Sequence, residues 1–146
     1  MHKVMLLGAL ALVLVARCQP PHGLSPADAA PAVTAETLIG TWSGRWTVPA
    51  NGKAGSVELV LARVPGRDGV LGQFTFITGA LSRTLRYEGR IEDGAVRFPL
   101  VDDGRIVLEP RAPGPPGRAA ALDGEWVDSR GALPGAAGRL ALDRVR

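Results

Sequence analysis

The chain has 146 residues, with 17 basic and 14 acidic side chains and a net charge of +3, which is enough for one modest domain. Setting aside Lys3 and Arg17, which lie in a segment built like an export signal, leaves 15 basic against 14 acidic; no basic patch remains on which nucleic-acid binding would rest. His2, His22 and the single cysteine, Cys18, all precede the folded part, which therefore has no Ser-His-Asp or Cys-His nucleophile, no N/S zinc ligands and no histidine for haem.

Met1-His2-Lys3 is a short positive start, and Val4–Ala16 is an unbroken apolar run of 13 residues. That length is short for a membrane span and right for the core of a secretory signal. Leu14-Val15-Ala16-Arg17-Cys18 resembles the end of a bacterial lipoprotein signal, although Arg17 stands where such signals carry a small residue. The resemblance implies lipidation of Cys18. The alternative is simple cleavage after Cys18, with Ala16 and Cys18 as the two small residues before the cut. Either route exports the chain to the periplasm or outer surface, and the only membrane attachment it implies is the lipid. Residues 19–37, rich in Pro and Ala and without hydrophobic period, are expected to be a disordered linker. The segments are thus a signal over 1–18, this linker, and a domain over 38–146.

The domain alternates short apolar runs with turn signals, the all-β pattern. Leu38–Val48 is read as the first strand, with Trp42, Gly44, Trp46 and Val48 on one face. Gly55–Val64, Val70–Thr78 and Thr84–Ile91 follow, the last with Leu85, Tyr87, Gly89 and Ile91 opposing Arg86, Glu88 and Arg90. Gly79–Arg83 is read as the connection before it. Asp93-Gly94 and Asp103-Gly104 are Asp-Gly turn signals around Ala95–Val101, in which Pro99 points to an edge or bulge. Arg105–Arg111, Arg118–Asp128 and Arg139–Val145 complete eight strands, with Ser129–Gly138 read as a loose loop. Short connections force antiparallel neighbours. Eight of them in sequence form an up-and-down barrel, which removes exposed sheet edges.

Gly40-Thr41-Trp42 at the head of the first strand resembles the opening of the lipocalin-like and avidin-like barrels, loosely the calycins. Those folds carry an arginine near the last strand that packs on the tryptophan. The resemblance implies a barrel-closing structural pair of Trp42 with Arg139 or Arg144. Gly-x-aromatic recurs at Gly44-Arg45-Trp46, Gly72-Gln73-Phe74 and Gly124-Glu125-Trp126, where glycine is expected to make room for a ring or a neighbouring backbone.

No cofactor or metal ligand set stands out; Asp102-Asp103 and Glu92-Asp93 are first of all turns, and EF-hand spacing is absent. Two functional readings remain. In one, the barrel is filled and the protein is a structural or interaction component of the cell envelope with a protein partner. In the other, Trp46, Phe74, Phe76, Tyr87, Phe98 and Trp126 line a cavity for a small apolar ligand. An enzyme is not expected.

Overall fold

The computed structural model describes residues 33–113 and 119–145, the side chains of Ala112 and Pro113 excepted. The segment expected to be a signal, Cys18 and most of the expected linker lie outside these residues. A helical turn, α1 (Ala35–Leu38), precedes eight strands: β1 (Gly40–Val48), β2 (Lys53–Arg63), β3 (Val70–Thr78), β4 (Leu81–Glu92), β5 (Ala95–Pro99), β6 (Arg105–Pro113), β7 (Ala119–Val127) and β8 (Ala137–Arg144). Each strand pairs antiparallel with the next, and β8 returns to β1 to close the barrel. The all-β, eight-stranded antiparallel expectation is met.

Alternation places the barrel. In β1 the burial pattern puts Trp42, Trp46 and Val48 inside and Thr41, Ser43, Arg45 and Thr47 outside. The inward faces of all eight strands merge into one hydrophobic cluster. Its largest members, Trp42, Trp46, Trp126, Phe74 and Phe98, are fully buried. Residues of this size dominate the burial free energy, at about 1.5–3 kcal/mol each.

The differences from the sequence reading lie at the ends of elements. Leu38 does not begin the first strand. It ends α1, where it is completely buried, and Thr37 Oγ1 folds back to accept a hydrogen bond from Thr34 N–H at 3.1 Å. The connection after β3 is only Gly79-Ala80. Gly79 takes the positive φ that a two-residue turn with glycine first requires, so Leu81–Arg83 are strand. Asp93 and Gly94 both have positive φ, as the Asp-Gly signal implies. In the next turn the left-handed pair is Asp102 and Asp103. Gly104 is instead needed for space, since a Cβ there would lie 2.9 Å from the Val127 carbonyl oxygen.

The segment after β7 is not loose. Asp128, only 2% exposed, accepts hydrogen bonds from Arg130 N–H (2.9 Å) and Leu133 N–H (2.7 Å). These pin Leu133 into the core cluster. Asp128→Ala leaves the buried Leu133 N–H without its acceptor, at a cost of about 1–3 kcal/mol. A urea titration should show that loss, with new protease cleavage inside residues 129–136, while Asp128→Asn should recover part of it.

Candidate functional site

The six residues proposed to line a cavity form one continuous ring network. Phe74 contacts Phe98 edge-on (5.3 Å between centroids), Phe76 in a stack (6.2 Å) and Tyr87 at a tilt (6.2 Å). Phe76 in turn meets Trp126 at 5.8 Å and Trp46 at 6.5 Å. These separations fall in the range where rings attract each other.

The polar ends of the tryptophans are occupied by the frame. Trp42 Nε1–H donates to the Leu38 carbonyl (3.0 Å), Trp46 Nε1–H to Ile77 (3.3 Å) and Trp126 Nε1–H to Gly135 (2.8 Å). Among the described residues no fully buried side-chain nitrogen or oxygen lacks a hydrogen-bond partner. Leu38 and Leu133 enter the same core cluster from α1 and from the β7–β8 loop.

Glycines make this packing fit, in two ways. Gly72 does what the Gly-x-aromatic pattern suggested: a Cβ there would lie 2.8 Å from the rings of Phe74 and Phe98. Trp46 and Trp126 are served by glycines the pattern missed. Gly55 pairs across the ladder with Trp46, and Gly138 with Trp126, and each indole lies against its glycine.

Trp42 meets Arg144, whose guanidinium carbon is 4.3 Å from the ring centroid. Arg139 lies exposed, opposite Thr47 on one side and Glu125 on the other. Arg144 also donates to the carbonyls of Ala119 (2.8 Å), Ile39 (2.8 Å) and Thr37 (2.7 Å). Gly40, with φ +139, leaves the room: a Cβ on it would lie 2.6 Å from Arg144 Nη1.

Tyr87 is the one polar side chain of the ring network that is only half-buried. Its hydroxyl pKa is raised, first by burial and then by the nearby charge of Asp128, with Arg83 opposing. A phenol held neutral in this way is suited to donate or accept a hydrogen bond, not to act as a base near neutral pH.

The surface carries grooves. One of about 630 Å³ runs past Gly89, Arg90, Arg97, Phe98, Pro99 and Arg105. Another of about 450 Å³ is bordered by Trp46, Phe76, Leu81, Arg83, Leu133 and Pro134. The exposed ion pairs, such as Arg67–Glu88 (3.2 Å) and Arg111–Asp123 (3.4 Å), contribute little to stability. Comparison of the chain with protein-family models, curated proteins and solved structures returns no match.

Proposed function

We propose that the chain is an exported cell-envelope protein, lipocalin-like in plan. Its barrel serves as a structural or protein-interaction module built on a filled core. The observation that carries this reading is the mutual packing of the six interior rings, with the indole N–H groups committed to backbone carbonyls. A cavity among them would forfeit contacts that stabilise the fold. The apolar run of Val4–Ala16 and the cysteine after it supply the export route. Catalysis has no part in the reading, because the domain's sequence lacks histidine and cysteine.

The carrier reading keeps one observation in its favour. Leu85, Tyr87 and Leu100 face the core yet are only half-buried, so the interior is least covered beside β4.

Native mass spectrometry of the protein taken from its host's envelope separates the two. The filled-core reading expects the polypeptide without a small apolar guest, alone or with a protein partner. Acylation of Cys18 would add hundreds of daltons covalently. A bound mass of a few hundred daltons released on collisional activation would give the interior to a ligand and overturn the filled-core reading. A thermal shift of several degrees with that molecule would agree.

A further inference from the structure

Two layers of inward strand positions stand at the barrel end that carries the β1–β2 and β3–β4 turns. In the deeper layer Trp46 pairs with Gly55, and Phe76 with Arg83. In the outer layer Val48 pairs with Lys53, and Thr78 with Leu81. Residues two apart share a strand face, so Lys53, Leu81 and Arg83 continue the inward faces of β2 and β4 past the core. They do not enter it, since all three are exposed. Leu81, at 77%, is the most exposed large apolar side chain among the described residues. Leu133 and Pro134 reach the same place from the β7–β8 loop and complete the groove of about 450 Å³. Its floor is Trp46 and Phe76, only 1% and 4% exposed.

The charge of this groove is one-sided. Lys53 and Arg83 line it, and no carboxylate does. In the 630 Å³ groove, by contrast, the arginines share the walls with Glu88, Glu92 and Asp103. Among the described residues neither Lys53 nor Arg83 has an ion-pair partner. Arg83 makes one long hydrogen bond, from Nη1 to Gly131 O at 3.5 Å. Asp128 is close enough that it and Arg83 both act on the Tyr87 phenol, but its oxygens already accept the N–H groups of Arg130 and Leu133. The shape decides what kind of occupant gains most. A small ligand gains by enclosure, with most of its surface buried. Here the floor is buried already, and the uncovered apolar area lies on the rim, at Leu81. An occupant that spreads over the rim gains from it, and a polypeptide does so better than a small molecule.

We propose that this groove receives a segment of a protein partner in which a large apolar side chain stands beside acidic residues. The inference rests on the protein-interaction reading above and gives it a surface. The apolar side chain covers Leu81 and packs against Leu133 and Pro134. The carboxylates meet Lys53 and Arg83, and the guanidinium fork suits a carboxylate in two-point contact. The same two cations repel a basic segment, so they choose the partner as well as hold it.

Selection of a phage-displayed library of random dodecapeptides on the exported chain tests the proposal. Enriched sequences should carry Asp or Glu next to Leu, Phe or Trp. A synthetic peptide of the enriched sequence should bind in calorimetry and shift the amide resonances of Lys53, Leu81–Arg83 and Leu133. Replacing its acids by Asn and Gln should weaken it by about tenfold, and added salt should do the same to the parent peptide. Lys53→Glu combined with Arg83→Glu should weaken it by about 100-fold, because like charges then face each other. Leu81→Ala should weaken it by about fivefold through lost apolar contact. Arg86→Gln, on the outer face of β4, is the control and should leave binding unchanged. Enrichment of basic or uncharged sequences, or none above an unrelated protein, would overturn the proposal. So would a peptide that binds Leu81→Ala and the charge-reversed chain as well as the parent. Peptides that map to an outer strand face would remove this site and leave the protein-interaction reading standing. An apolar guest released in native mass spectrometry would instead remove that reading, and this inference with it. If the double charge reversal fails to fold, Lys53→Glu and Leu81→Ala decide alone, since both replace exposed side chains.

Discussion

Gly138→Ala is expected to cost about 3 kcal/mol or more, the upper end for inserting one methyl into a packed core. A Cβ at Gly138 would lie 2.6 Å from the Thr47 carbonyl oxygen and would overlap the six-membered ring of Trp126. Neither neighbour can yield. Thr47 sits in the β1–β8 ladder opposite Arg139. The indole is held by its bond to Gly135 O at 2.8 Å and by Phe76 at 5.8 Å. Urea unfolding should show a midpoint well below that of the parent. Gly131→Ala is the control: its φ is +72 but nothing lies within 4 Å of its Cβ position, so only the left-handed backbone is penalised, at about 1–2 kcal/mol. Adding Trp126→Phe to Gly138→Ala removes the ring atoms in conflict. The double-mutant cycle should show a favourable coupling of about 1 kcal/mol or more. Strict additivity would mean that the glycine serves some purpose other than seating the ring.

That case shows where sequence reasoning succeeds and where it runs out. The strands were legible because each carries a period-two pattern bounded by turn residues, as in Thr84–Ile91 and the Asp93-Gly94 turn. Their inward faces were legible for the same reason. The partner of Trp126 was not. Gly138 is 12 residues away, and only the β7–β8 register brings it opposite. Gly44 illustrates the same limit, since its close neighbour is the backbone at Ala141 on the last strand, which no within-strand motif displays. The burial of Leu133 depends on a carboxylate five residues earlier capturing its N–H. An Asp at a strand end is visible in sequence, but the distance it reaches is not. The half-burial of Leu85 and Tyr87 likewise goes with their place in β4 beyond the last β4–β5 pair, Arg90↔Arg97, which a period-two pattern within one strand does not display. Choosing between Arg139 and Arg144 needed the register of β8, because both are near the end of the chain and neither carries a local signal.

Arg144→Ala is expected to lower stability by about 3–5 kcal/mol, close to the limit for a single substitution. The reason is the number of groups that one guanidinium serves. Its bonds to Thr37 O and Ile39 O, together with the Trp42 indole bond to Leu38 O, account for three successive carbonyls at the end of α1. Carbonyls at a helical C-terminus have no partners of their own, and here Trp42 and Arg144 supply them. The third Arg144 bond, to Ala119 O, ties the same group to the start of β7. Hydrogen bonds to a charged group contribute about 1.5–3 kcal/mol each. The contact with the Trp42 face adds about 0.5–2 kcal/mol. These do not sum freely, because they are lost together. Lysine cannot reproduce a planar fork with three separate acceptors, so Arg144→Lys should recover less than half of the loss. Arg139→Ala, on the exposed face, should change stability by no more than about 0.5 kcal/mol. The position of the damage is a separate check. With Arg144 gone, α1 should detach before the barrel unfolds, and limited proteolysis should cut near residues 34–39 while the strand amides stay protected from exchange. If Arg144→Ala costs less than about 1 kcal/mol and leaves that junction uncut, the contact with Trp42 is incidental and α1 is held by the burial of Leu38 alone.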